Sequence, residues 1–117
     1  MVNVWRPIGG PVEEFPLAVC DARSIARDDW VPTDLVYPGR LGEVYSVRYN
    51  PAHRWYYYPS MRPDEALLIK TYDSAEDGRA RFSAHTAFVD PTTPPTAAPR
   101  ESIEVRALVF FSSDPTA

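Results

Sequence analysis

The sequence predicts a mainly β protein, and three stretches carry that prediction. Polar and apolar residues alternate in residues 43–49 and again in residues 102–111, which is the pattern of strands with one buried face. Residues 66–72 form a short apolar run between polar residues, typical of a buried strand, although periodicity alone leaves a helix open there. With 117 residues and 44% hydrophobic content the chain is large enough for one core, so we predict a single domain over residues 1–117.

The elements before residue 43 are less regular. Residues 2–8 are predicted to form a short strand that ends at a Gly-Gly-Pro break, and residues 15–20 a second strand or extended segment. Residues 21–30 are compatible with one or two helical turns, capped by Asp21 or Ser24. The prolines and the glycine between residues 32 and 39 then predict a loop.

A β-hairpin is predicted in the middle of the chain. Residues 50–53 have the composition of a turn, and the aromatic run at residues 54–59 would pair with the alternating strand before it. We interpret His53 as a solvent-facing or turn-capping residue. The aromatic side chains of residues 55–58 are interpreted as cross-strand packing, with the lining of a substrate pocket as the alternative.

The last third of the chain contains a proline-rich arm. Residues 75–81 are polar and turn-like and lead to His85. Four prolines and three threonines in residues 90–99 exclude a regular helix or a central strand and predict an extended surface arm. Residues 102–111 after it are the clearest strand of the sequence.

Composition argues against several classes of partner. Sixteen acidic and twelve basic residues give a net charge of −4, and the basic residues are scattered, which argues against nucleic acid. No run approaches eighteen apolar residues and the first residues lack the pattern of a signal peptide, so we expect neither a membrane span nor a secretory leader. The single cysteine, Cys20, excludes an internal disulfide and favours a cytoplasmic setting; its apolar surroundings predict an inert core thiol.

The best candidate for chemistry is His85 together with the strand that begins near Arg100. Read with period 2, Arg100, Ser102, Glu104 and Arg106 share one face of that strand. A histidine that binds a metal, with an arginine and a hydroxyl from a neighbouring strand, could hold an iron and the carboxylate of a keto acid. The alternatives are a core histidine and an arginine that pairs with nearby glutamates.

A complete iron site is not encoded in these residues. The facial triad of non-haem Fe(II) uses two histidines and one carboxylate, usually begun by a His-x-Asp or His-x-Glu pair. Neither His53 nor His85 is followed by an acidic residue at that spacing. The chain alone is therefore predicted not to complete the triad.

Several segments carry a family resemblance that runs over nearly the whole chain. They are residues 3–8, 16–24, 49–59, 64–70, 72–74, 85–88 and 100–106. In order and in their unusual hexamers they resemble the C-terminal part of the AsaB-like hydroxylase/desaturase family, which includes a cephamycin-pathway hydroxylase and gibberellin-desaturase-like proteins. Members of this family are roughly twice as long or more and resemble Fe(II)/2-oxoglutarate oxygenases built on a double-stranded β-helix.

The resemblance implies a fold and a set of roles. The fold would be a partial double-stranded β-helix of the jelly-roll, cupin-like type that lacks its N-terminal strands. His85 would be the distal iron ligand, and Arg100, assisted by Ser102, would bind the 2-oxoglutarate carboxylate, with Arg106 as the alternative anchor. The aromatic residues Trp55 and Tyr57 would contact the substrate.

Two functions follow as expectations. One is a partial or truncated Fe(II)/2-oxoglutarate-dependent oxygenase of secondary metabolism that hydroxylates or desaturates a small molecule. The other is a non-catalytic remnant or a binding subunit with an incomplete metal site. In both cases binding of the cofactors by this chain alone is doubtful, and exposed edge strands favour a homo-oligomer or a complementing N-terminal chain.

Overall fold

The computed structural model describes residues 1–111, whose regular structure is almost all β. Within this range there are eight strands and two single-turn 3-10 helices. The strands are β1 (Val2–Pro7), β2 (Leu17–Cys20), β3 (Trp30–Tyr37), β4 (Arg40–Val47), β5 (Trp55–Tyr57), β6 (Leu67–Lys70), β7 (His85–Ala87) and β8 (Ser102–Ala107); the 3-10 helices are Ala22–Ser24 and Arg27–Asp29. None of the helices described here is long or apolar enough to cross a membrane.

The strands form two three-stranded antiparallel sheets and a separate hairpin. The first sheet has the order β6-β1-β8 and the second the order β5-β2-β7, while β3 pairs with β4 alone. The two central strands, β1 and β2, follow each other in the chain but lie in different sheets. The outer strands of each sheet therefore come from much later in the sequence.

The apolar core lies between the two sheets. Trp5 of β1 and Ile69 of β6 are buried and pack with Val12 and Met61 from loops. Leu17 of β2 packs against the same cluster, so side chains of both sheets meet there. Burial alternates along β1 because residues 3, 5 and 7 point inward, as a period of two requires.

Most of the predicted elements are confirmed. The strands expected at residues 2–8, 15–20 and 66–72 are β1, β2 and β6. Asp21 caps the first 3-10 helix, because its carboxylate accepts a hydrogen bond from the Arg23 amide. Residues 90–99 form no helix or strand, and the carbonyls of Asp90 and Pro94 close two turns in this arm.

The predicted hairpin between residues 43–49 and residues 54–59 is wrong. β4 pairs with β3, and β5 pairs with β2 in the other sheet. The loop expected between residues 32 and 39 is in fact β3 and a tight turn, where Gly39 has φ +76° after Pro38, as a type II turn requires. Pro32 is tolerated because β3 pairs on one side only within residues 1–111.

The last strand is shorter than predicted. β8 ends at Ala107, whereas the alternating pattern extends to residue 111. Ala107 is opposite Val2, the first residue of β1, so β8 ends level with the start of its partner strand.

Candidate functional site

A cleft of about 750 Å³ brings together residues from both sheets and from the hairpin. β7 contributes His85 and Thr86, and β8 contributes Arg106. The other lining residues are Met1, Trp30, Glu43, Val44, Tyr45, Ser46, Val47, Trp55, Thr71, Tyr72, Phe82, Ser83 and Ala84. This volume lies within the roughly 300–1,000 Å³ of typical small-molecule sites, and a few polar groups among apolar walls are typical of them too.

The imidazole of His85 is oriented by the backbone. Its Nδ1 lies 2.8 Å from the carbonyl oxygen of Ser83, which can only accept a hydrogen bond. Nδ1 therefore carries the proton, and the lone pair of Nε2 is left available. A backbone carbonyl on the other ring nitrogen is how metal-binding histidines are commonly held.

Arg106 is positioned by a buried amide. Asn3 is 2% exposed, and its Oδ1 accepts a hydrogen bond from Arg106 Nε at 3.1 Å. The Asn3 amide nitrogen donates to Glu104, the residue two before Arg106 on the same face of β8. Within residues 1–111 the terminal guanidinium nitrogens of Arg106 make no hydrogen bond or ion pair. These two nitrogens are therefore available to bind a carboxylate in the cleft that Arg106 lines.

Arg100 and Ser102 do not line this cleft. Arg100 donates from Nη1 to the Phe15 carbonyl at 2.5 Å, and its guanidinium carbon lies 5.8 Å from the Trp5 ring centroid. It borders a smaller cavity of about 290 Å³ beside residues 9–13. Arg100 precedes β8, which begins at Ser102, and six residues of extended chain span roughly 20 Å, so Arg100 lies far from Arg106 along the chain.

The two aromatic residues predicted to contact substrate separate as well. Trp55 lines the cleft. Tyr57 packs on Phe88, with ring centroids 5.0 Å apart, and its hydroxyl donates to Asp90 at 3.2 Å. The carboxylate of Asp90 raises the pKa of the Tyr57 hydroxyl, because ionisation would remove the hydrogen bond and place two negative charges together.

Of the two roles predicted for His53, the solvent-facing one is wrong. Its side chain is only 3% exposed, and Nε2 lies 3.0 Å from the Asp29 carboxylate. Asn50 and the Ala26 amide also donate to this carboxylate, at 3.1 Å each. The hydrogen bond from His53 is the main cause that lowers the pKa of Asp29. His53 therefore ties the turn at residues 50–53 to the second 3-10 helix and lies outside the cleft lining.

The sequence reasoning missed the aromatic residues of the cleft outside β5. Trp30 and Tyr45 come from the unrecognised hairpin, and Tyr72 and Phe82 from the segment before β7. The alternation that identified β4 placed Tyr45 on one face, but nothing local indicated which partner that face would meet. Asn3 gave no signal either, because its importance depends on residues about a hundred positions away.

Comparisons with known proteins agree with the fold and identify the family. A family model described as "Oxidoreductase/YMDC permease-like domain" matches residues 1–110. The hydroxylase/desaturase asaB of Aspergillus flavus is 46% identical over 132 residues, which cover 100% of this chain and 57% of that protein. Aspirochlorine biosynthesis protein N of Aspergillus oryzae is 45% identical over 116 residues, 97% of this chain and 48% of that protein.

A solved structure also matches most of this chain. The iron and alpha-ketoglutarate-dependent endoperoxidase NvfI superposes with a TM-score of 0.79 at 39% identity, over 88% of this chain and 38% of that chain. The match confirms the predicted mainly β, jelly-roll type of fold. The chain spans about half or less of the length of these relatives. It belongs to the AsaB-like hydroxylase/desaturase family and corresponds to the C-terminal part of its members.

Proposed function

We propose that this chain supplies one part of the active site of an Fe(II)/2-oxoglutarate-dependent oxygenase that hydroxylates or desaturates a small molecule of secondary metabolism. The observation that carries the proposal is that His85 and Arg106, from edge strands of two different sheets, line one cleft. The relatives supply the reaction class, because they include a hydroxylase/desaturase, an iron and alpha-ketoglutarate-dependent endoperoxidase and an aspirochlorine biosynthesis protein.

The described residues fit the metal only in part. His85 offers one imidazole nitrogen with its tautomer already set by Ser83. Residues 1–111 contain no group of three histidine, cysteine or acidic side chains that would hold a metal ion. The second histidine and the carboxylate of a facial triad would therefore come from polypeptide outside residues 1–111. Bound iron would supply the activation of O2.

Arg106 is our choice for the anchor of the 2-oxoglutarate carboxylate. It lines the cleft with His85, and Asn3 fixes its Nε while the remaining nitrogens point at no protein acceptor in the described residues. Arg100, the anchor first expected, is engaged by the Phe15 carbonyl and the Trp5 ring, and Ser102 accompanies it at the far end of the strand. We therefore favour Arg106, with Arg100 and Ser102 as the alternative.

For the substrate, the same criterion favours Trp55 over Tyr57. Trp55 lines the cleft, whereas the hydroxyl and ring of Tyr57 are used by Asp90 and Phe88. The residues of this chain would thus bind and orient: His85 the metal, Arg106 the keto acid and Trp55 the substrate.

We also propose that a complementing polypeptide completes both sheets. Within residues 1–111, β7 and β8 each pair with a strand on one side only, and both contribute to the cleft. Unpaired edges are templates for further strands. The outer face of the first sheet also exposes apolar side chains, among them Leu68, Ile103 and Val105. Strands added at these edges would border the cleft from the open side, where the missing ligands are needed; a homo-oligomer is the competing arrangement.

Two further expectations belong to the proposal. Residues 1–117 are treated as one domain, which is supported by a core shared between the two sheets. A cytoplasmic setting is supported by the single, buried cysteine, Cys20, since a chain with one thiol forms no internal disulfide.

A chimera tests the proposal. The part of NvfI that matches this chain is replaced by residues 1–117, and Fe(II) and 2-oxoglutarate are added without oxygen. We expect the charge-transfer absorption of an iron-bound keto acid in the chimera and its loss in the His85→Ala variant. The Tyr49→Ala variant is the control, because its side chain is largely exposed and lies outside the cleft lining. Absorption that survives in His85→Ala would contradict His85 as an iron ligand, whereas absorption that never forms in a folded chimera would favour the non-catalytic alternative.

A further inference from the structure

Four aromatic side chains form one wall of the cleft. Phe82 is at their centre: its ring centroid lies 5.7 Å from Trp30, 5.2 Å from Tyr45 and 6.1 Å from Tyr72. Trp30 and Tyr45 also meet edge to face at 5.9 Å. These four residues, the aromatic wall, combine the β3–β4 hairpin with the segment that leads into β7.

The wall is incompletely covered by the chain itself. Tyr45 is 47% exposed and Tyr72 is 42% exposed, although both rings pack on Phe82. A cluster whose only purpose was to anchor the hairpin would bury its ring faces against each other. Here both partly exposed tyrosines line the same cleft as His85 and Arg106.

The cleft combines polar and aromatic groups. His85, Arg106 and nearby hydroxyls provide the polar groups, whereas the aromatic wall provides flat apolar surface. Arg81 reinforces the wall from one side, with its guanidinium carbon 5.6 Å from the Tyr72 centroid and 5.9 Å from the Phe82 centroid. A ligand that contacts both kinds of group carries an apolar ring system and turns one edge of it toward the histidine.

We infer that the aromatic wall is the specificity surface of the site and that it selects a ring-bearing, largely apolar small molecule as substrate. The inference rests on the proposed function, since it assigns a substrate class to that cleft. It extends recognition beyond β5 to the β3–β4 hairpin. A segment of the complementing polypeptide is the competing occupant of the wall.

The test is equilibrium binding of Prodan, an uncharged naphthalene fluorophore, to the full chain without iron or 2-oxoglutarate. We expect Tyr45→Ala and Phe82→Leu each to weaken binding about three- to tenfold, because a lost aromatic contact costs roughly 0.5–1.5 kcal/mol. The matched controls are Tyr49→Ala and Leu68→Ala, which remove a largely exposed aromatic and an exposed aliphatic side chain outside the cleft. Their affinities should stay within about twofold of the unaltered chain.

Three additional measurements report where the probe binds, whether each variant is folded and which probe shape the site prefers. Amide chemical shifts of residues 82–86 should move when Prodan is added to isotopically labelled chain, and circular dichroism should report an unchanged fold in each variant. Naphthol should displace Prodan at lower concentration than octanol, because the wall favours flat rings over a flexible chain.

The inference is overturned if Prodan fails to bind the folded chain, or if Leu68→Ala weakens binding as much as the wall variants do. Equal displacement by octanol would also overturn it, since a non-specific apolar surface behaves that way. Because no metal or keto acid is present, these outcomes are independent of the chimera's charge-transfer absorption. The proposed function and the substrate class can therefore fail separately.

Discussion

Replacing Asn3 by alanine tests how the cleft-facing side of β8 is held. Asn3 is buried, and its amide joins Glu104 and Arg106 through one donated and one accepted hydrogen bond. A hydrogen bond to a charged group contributes about 1.5–3 kcal/mol, and an ordinary one about 0.5–1.5 kcal/mol. Both charged partners are exposed, so screening favours the lower range, and we predict a loss of about 1–3 kcal/mol in the free energy of unfolding.

The measurement is urea denaturation of the Asn3→Ala variant followed by circular dichroism. Val4→Ala is the matched control, because Val4 is the next residue of β1 and points to the exposed outer face. It should cost less than about 1 kcal/mol. Equal losses in the two variants, or a loss below about 0.5 kcal/mol for Asn3→Ala, would refute the view that this amide holds β8 in place.

Two further predictions concern the core and the buried carboxylate. Ile69→Ala should lower the free energy of unfolding, measured in urea, by about 2–5 kcal/mol, because Ile69 is 1% exposed. The control, Leu68→Ala, changes an exposed neighbour and should lower it far less. Similar losses in the two variants would contradict the assigned core. Asp29→Asn should lower the melting temperature at pH 7. The hydrogen bond with His53 lowers the pKa of Asp29 from 3.8 in the folded chain, so the ionised carboxylate stabilises the folded state above pH 3.8. The difference from the unaltered chain should narrow as the pH falls through the folded pKa, and a difference that is constant from pH 7 to about pH 2 would contradict the pairing.

Local patterns in the sequence identified most strands but not their partners. The alternation around Tyr45 correctly placed a strand there, because side-chain period is a property of the strand itself. Its partner was assigned to the aromatic run after residue 53, whereas β3 on the other side of Gly39 is the true one. Pro32 concealed β3, since proline argues against a central strand but is tolerated at an edge.

The candidate site illustrates the same limit. Period 2 put Arg100 and Arg106 on one face of the last strand, and the structure agrees that residues 102, 104 and 106 lie opposite the inward side of β1. It did not indicate which end of the strand borders the cleft, because that depends on how β8 aligns with β1 and β7. His53 was misjudged for a related reason: its partner, Asp29, lies 24 positions earlier and reaches it only through the tertiary fold.

The most direct test of the account is the affinity for 2-oxoglutarate of the Fe(II)-loaded NvfI chimera with either arginine replaced by glutamine. We predict that Arg106→Gln weakens binding by about ten- to a hundredfold, as expected for a lost charge-assisted pair, and that Arg100→Gln stays within about twofold. Anaerobic titration at the charge-transfer band measures both dissociation constants. Weakening by Arg100→Gln with an unchanged Arg106→Gln would contradict the claim that His85 and Arg106 belong to one site.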